Sequence, residues 1–171
     1  IHVAGTNGKG TVCTLLAHTL TWAGKKTGLF VSPHLISPTE RIQINGQPIS
    51  KTDFRRVVER VQACEEEPLN FFEVLTAACL IYFAEKKTSY VVVETGLGGR
   101  KDPTNVCVPV LSLITSVGLD HTAILGNTLA QIAYEKAGII KPRVPVLCGE
   151  TSFEAAQVIK QIALECQAPL T

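Results

Sequence analysis

Surplus charge is what this chain most lacks. Sixteen Lys and Arg stand against fifteen Asp and Glu, for a formal net charge of +1. No basic face is therefore available to grip nucleic acid or an anionic membrane, and any anion must be held locally by a particular loop. No apolar run reaches the roughly 18 residues that a bilayer span requires. The longest, Leu75 to Ala84, is interrupted by Thr76 and predicts a core helix. CxxC pairs are missing as well. The six cysteines, Cys13, Cys64, Cys79, Cys107, Cys148 and Cys166, have no metal-ligand spacing and sit mostly in apolar surroundings, which predicts reduced, buried thiols in a cytoplasmic protein. Methionine is absent, and Ile1 opens directly on an apolar strand with no signal-peptide pattern; the expectation is a piece of a longer protein.

What is present is ample apolar content. At 171 residues and 46% hydrophobic, the chain can bury a sizeable core as one soluble domain. Short β-branched runs recur at Ile1 to Ala4, Gly28 to Val31, Tyr90 to Val93, Val110 to Ile114 and Val144 to Leu147. Helical patterns over Thr52 to Glu66, Asn70 to Lys86, Leu129 to Ala137 and Phe153 to Cys166 fall between most of them. Strands alternating with helices predict an α/β fold with a mainly parallel sheet and helices on both faces. The first helix is expected to bury Val12, Leu15, Leu16, Thr19, Leu20 and Ala23 and to stop at Gly24. Arg41 to Ile44 with Asn45-Gly46 predicts a small hairpin outside the main sheet.

The segment HVAGTNGKGT, residues 2–11, joins a strand to a helix through a glycine-rich turn. Gly5, Gly8 and Gly10 leave the main chain bare, so several N–H groups can face one anion. Lys9 adds a point charge, and the helix expected to begin near Thr11 aims its positive dipole end at the same spot. The spacing is not that of GxxxxGK[ST]: three residues separate Gly5 from Lys9, and Gly10 stands where a hydroxyl normally follows the lysine.

In an open parallel sheet, ligands collect beyond the carboxyl ends of the strands, where every chemically suggestive residue of this chain is expected. The first strand leads into the glycine loop, the second into Ser32-Pro33-His34, the third into Glu94, and the fourth toward Ser116 and Asp120-His121. Glu94 follows three valines, and a buried carboxylate needs compensation. A divalent cation is one source, since Mg²⁺ takes one or two carboxylates, waters and phosphate oxygens; an ion pair with Arg100 or Lys101 is another. His121 reads equally as a ligand or a structural residue. Lys136 falls on the apolar stripe of its helix with Leu129, Ile132 and Ala133, where a lone ammonium must snorkel, find a partner or be modified. Asn70 and Glu73 have capping-box spacing, which is compatible with substrate contact by Asn70, Phe71, Phe72 and Glu73. The loop Gly96 to Asn105 is turn-rich and suits a substrate clamp.

Taken in order, HVAGTNGKGT, GLFVSPHL with ERIQING, NFFE, VVVETGLGGR with KDPTN, SVGLDHT and YEKAGIIKP closely resemble the folylpolyglutamate synthase and bifunctional dihydrofolate synthase family, relatives of the Mur ligases. The resemblance runs to about Gly149. It implies a Mur-ligase-like, P-loop-containing ATP-binding domain over residues 1–171, with a glutamate ligase domain expected beyond it. The implied reaction is ATP-dependent: a folate or dihydropteroate carboxylate is phosphorylated, and the amine of L-glutamate attacks the acyl phosphate. The family's roles would put Thr6, Asn7, Gly8, Lys9, Gly10 and Thr11 on the ATP phosphates, and Ser32, Glu94 and His121 on Mg²⁺. Catalysis would fall to Lys9, His121 and a carbamylated Lys136. Pterin contacts would come from Asn70, Phe71, Phe72 and Glu73 together with Lys101, Asp102 and Pro103.

The chain departs from that pattern at Lys101 and Pro103, where leucine and alanine usually flank the aspartate, and at Thr95, where valine is common. Small-molecule substrates, no nucleic acid, no membrane and a monomeric state complete the expectation. A simple P-loop NTPase, a non-catalytic nucleotide-binding fragment and a Mur-type peptide ligase are the competing readings.

Overall fold

The computed structural model describes residues 1–149 and 151–171. Their apolar side chains gather into two clusters rather than one, and the backbone divides accordingly. One compact unit comprises Ile1–Val12 with Glu94–Thr171, the other Cys13–Val93.

In the first unit, β1 (His2–Ala4), β6 (Ser112–Ile114) and β7 (Val146–Cys148) pair in parallel, with Val3 opposite Leu113 and Leu113 opposite Leu147. Parallel strands need crossover connections. Here these carry α4 (Thr122–Leu125) and α5 (Leu129–Lys136), and α6 (Phe153–Glu165) follows β7. Ala4, Ile114, Ile132, Ala133, Ile139 and Ile159 are buried together as the core. Thr128 caps α5 reciprocally with Gln131, and the Ser152 hydroxyl caps α6, each satisfying amides that a helix start leaves unpaired.

In the second unit, β2 (Thr27–Phe30) pairs in parallel with β5 (Tyr90–Glu94), Phe30 opposite Val93. Helices α2 (Lys51–Gln62) and α3 (Phe71–Glu85) bury Val57, Leu75, Ala78, Cys79 and Phe83 with Phe30 and Val93. The last residue of β5, Glu94, belongs to the first unit, where the next amide, Thr95 N–H, donates to Val3 O at 2.9 Å.

The expected class holds: strands that pair mainly in parallel alternate with helices. Three details differ. The hairpin of β3 (Ile42–Ile44) and β4 (Gln47–Pro48) is not an excursion, because β3 pairs antiparallel with β2, Leu29 opposite Gln43; β2 had a free edge, and Ile42 is fully buried there. Helix α1 (Lys9–Trp22) starts two residues before Thr11 and buries Cys13 and Ala17, whereas Leu15 is 62% exposed. Small side chains let a helix approach its neighbours closely, so the buried stripe follows Cys13 and Ala17 rather than the largest residues. Its end is as expected, with Gly24 N–H on Thr21 O and Lys25 N–H on Leu20 O. All six cysteines are free thiols, but only Cys13 and Cys79 are buried, and Cys64 lies exposed in the polar stretch after α2. Among the described residues no helix is long and apolar enough to cross a membrane.

Candidate functional site

The turn from β1 into α1 is held by residues more than a hundred positions away. Gly5 has φ +154°, and a Cβ there would fall 1.9 Å from the hydroxyl of Thr115, so no side chain fits while that hydroxyl donates to Asn7 O at 2.7 Å. Gly8 has φ +78°, a left-handed conformation that glycine adopts without steric cost. Thr6 N–H donates to Ser116 O at 2.9 Å, and Asn7 N–H to the Ser116 hydroxyl at 3.1 Å. The Thr6 hydroxyl accepts from Gly118 N–H at 3.0 Å and reaches Gly118 O at 3.2 Å.

Thr6 and Asn7 thus fix the loop, and the donors left to meet an anion are the amides of Gly8, Lys9, Gly10 and Thr11, which at a helix start have no intrahelical acceptor. Thr115 was missed by sequence reasoning. The signal was slight: two hydroxyl residues in a row directly after the apolar strand β6.

Two ammonium groups converge on this loop. Lys9 Nζ donates to Gly5 O at 2.9 Å and to Thr6 O at 3.3 Å; Lys136 Nζ donates to the same Gly5 O at 2.9 Å. Lys136 is 3% exposed, the buried place on α5 that its spacing predicts, and of the three fates open to it the structure shows a partner. Burial first, then the neighbouring Lys9, push its pKa down to about 8, with Asp120 opposing. With Lys136 unmodified, this positive charge lies beside unpaired amides, an arrangement that attracts an anion.

Glu94 lies against the same turn. It is 3% exposed, and a Cβ on Gly10 would sit 3.7 and 3.8 Å from its carboxylate oxygens, a favourable place for negative charge at a helix start. Arg100, one of its expected partners, lies 3.8 Å over the Tyr134 ring and donates to Tyr134 O at 3.1 Å.

His121 occupies the N-cap position of the short α4 in a left-handed conformation, φ 48°, without a side-chain capping bond, a backbone state uncommon outside glycine that concentrates at functional positions. It is exposed, with Nε2 3.7 Å from Asp120 Oδ1. Among the described residues no three of His, Cys, Asp or Glu cluster closely enough to cage a metal.

The 95–106 loop is organised by Asp102. Its Oδ2 accepts from Leu97 N–H at 2.8 Å, and its Oδ1 accepts from Thr104 N–H at 3.0 Å and from the Thr104 hydroxyl. Both oxygens are engaged and the residue is buried, while Lys101 is exposed and Pro103 half-buried. Gly99 and Arg100 pack on the end of α5, where Arg100 N–H donates to Glu135 O at 2.7 Å.

In the second unit, Ser32 stands half-buried two residues beyond Phe30, at the carboxyl end of β2. Asn70 and Glu73 form the expected capping box, and Phe72 packs against Phe30, ring centroids 5.7 Å apart. Only Phe71 of that quartet presents an open ring, 56% exposed, with the Arg41 guanidinium 5.5 Å from its centroid.

The pattern of the Mur ligase middle domain matches residues 3–146. The dihydrofolate synthase/folylpolyglutamate synthase of Bacillus subtilis (strain 168) is 46% identical over 177 residues, covering 98% of this chain and 41% of that protein. The solved structure of E. coli FolC in complex with DHPP and ADP superposes with a TM-score of 0.94 at 38% identity, covering 99% of this chain and 41% of that one. An FPGS-AMPPCP-folate complex gives a TM-score of 0.93 at 37% identity over 99% and 43%. The chain therefore spans about two fifths of the length of the relatives it matches.

Proposed function

The chain belongs to the Mur ligase middle-domain family, and we propose that it is the ATP-binding part of a ligase that adds L-glutamate to a folate and, as a second acid substrate, to dihydropteroate. One observation carries this reading: Lys9 and Lys136 share the Gly5 carbonyl, and Glu94 lies beside Gly10, all at the glycine turn that opens a single helix. The relatives' complexes with ADP, AMPPCP, DHPP and folate support the choice of ligands.

The γ-phosphoryl group passes to the substrate carboxylate, the amine of glutamate displaces phosphate from the acyl phosphate, and ADP and phosphate leave. The chain's part is positioning and charge neutralisation. The amides of Gly8 to Thr11 hold phosphate oxygens, and Lys9 exchanges its loop carbonyls for them. No side-chain nucleophile is needed.

The donor set fits Mg²⁺ rather than a transition metal, because a buried carboxylate with no cluster of His, Cys, Asp or Glu around it among the described residues suits an ion that keeps waters and phosphate oxygens. Of the expected donors, Glu94 and His121 belong to the first unit and would hold it, and it would withdraw charge from the transferring phosphoryl group. Carbamylation of Lys136 belongs to the same reading: the neutral amine, accessible because burial depresses its pKa, adds carbon dioxide and releases a proton. On the acid-substrate side, Phe71 offers a ring for stacking, and Asp102 shapes the loop that Lys101 and Pro103 flank.

ADP release by the full-length protein tests the proposal. Release that requires both L-glutamate and either tetrahydrofolate or dihydropteroate supports it. Release indifferent to both would favour a simple NTPase, and release with other acids and amines a Mur-type ligase.

A further inference from the structure

His2 is fully buried on β1, next to the residues that lead into the glycine loop, yet it belongs to no part of the mechanism above. Its Nε2 lies 2.8 Å from the Thr104 hydroxyl. That hydroxyl has one proton, and it goes to Asp102 Oδ1; the Thr104 oxygen must therefore accept, and His2 must be the neutral tautomer with its proton on Nε2. Nδ1 is then a lone pair, consistent with its having no hydrogen-bond partner in the protein. Burial, reinforced by Lys141, holds the imidazole pKa down to about 4, so the neutral form dominates at ordinary pH. Lys141 Nζ in turn donates to Asn105 O at 3.0 Å, and Asn105 Nδ2 to Arg100 O and Gly138 O.

We infer that His2 is a positioning residue for the acid substrate: its Nε2–H orients the Thr104 hydroxyl onto Asp102, and Asp102 in turn fixes the Leu97 and Thr104 amides, so that β1 sets the 95–106 loop at the same time as it presents the nucleotide loop. This rests on the reading of that loop as the folate-side clamp. A spacer residue would need only to fill the volume. The chain His2, Thr104, Asp102, Leu97 has a direction, and each member has one role to lose.

The test uses the full-length protein with His2→Phe, which keeps a planar ring and removes the donor, and His2→Gln, whose amide N–H can reach the same oxygen. Thr104→Val breaks the chain from its other end without touching β1, and Thr104→Ser keeps it, so a poorly folding His2→Phe does not remove the test. Expected for His2→Phe and Thr104→Val are about tenfold faster hydrogen exchange at the Leu97 and Thr104 amides and about a tenfold higher KM for the folate substrate, the scale of one hydrogen bond in a charged network. KM for ATP should stay within about twofold, and Gln and Ser should restore most of both losses. Unchanged exchange and folate KM in both breaking variants would overturn the inference. So would equal rises in the two KM values, or Gln and Ser variants as impaired as Phe and Val. If the wild-type protein shows no folate-dependent turnover, the functional reading fails instead, and amide exchange alone still decides the role of His2.

Discussion

Replacing Lys136 by Met should stabilise the protein while abolishing its activity. The unmodified amine sits 3% exposed on the apolar side of α5, with its pKa moved from 10.5 to about 8, a gap worth roughly 3 kcal/mol. The sign follows from proton binding. Between pH 8 and 10.5 the unfolded chain holds this proton more tightly than the folded one, so stability rises with pH across that window. Below about pH 8 both states are protonated, and the full cost of burying the ammonium is present. Methionine has similar length and no charge, and Gly5 O keeps Lys9 as a donor. The variant should therefore gain about 1 to 3 kcal/mol at pH 7, and the gain should shrink toward zero by about pH 10.5 as the wild-type amine becomes neutral. Urea unfolding in carbon-dioxide-free buffer at pH 7, 8.5 and 10, with the variant always compared to wild type, measures this directly. A variant destabilised by the same amount at every pH would refute the reasoning, because it would mean that the amine titrates alike in the folded and unfolded chains and that burial does not strain it.

Gly5→Ala must displace the Thr115 hydroxyl from Asn7 O, and the crowding plus the lost hydrogen bond should cost about 2 to 4 kcal/mol. Chemical denaturation reads the cost, and a nucleotide titration should show binding lost with it. Phe71→Ala should raise KM for the folate substrate and change stability by no more than about 1 kcal/mol, the scale of an exposed cation–π contact. Phe72→Ala, which empties a place beside Phe30, should instead cost about 2 kcal/mol or more in thermal unfolding.

The parts of the site legible in the sequence are those whose cause is local. Gly5, Gly8 and Lys9 adjoin one another between a strand and a helix, and Asn70 with Glu73 has the spacing of a cap, so chain order alone implies their geometry. Lys136 was legible for a different reason: a cation at helical spacing from Ile132 and Ala133 stands out from its surroundings, and its burial follows from that spacing. The clamp on the glycine loop by Thr115 and Ser116 was not legible, because hydroxyl residues after a strand carry no sign of a partner 108 or 109 positions earlier. The buried face of α1 differs from the apolar stripe that its periodicity predicts, because close approach selects Cys13 and Ala17. Asp102 entered through the family resemblance alone; its bonds to the Leu97 and Thr104 amides were not legible, because nothing in the spacing of a turn-rich loop says which amides its carboxylate will accept.

The central claim is that the amides at the start of α1 receive a nucleotide's phosphates beside Lys9 and Lys136. Hydrogen exchange of the full-length protein, with and without a non-hydrolysable ATP analogue and Mg²⁺, tests it most directly. Protection should appear at Gly8 to Thr11, with lesser protection at the supporting segment Thr115 to Gly118. Saturating nucleotide that leaves the exchange of both segments unchanged would contradict it.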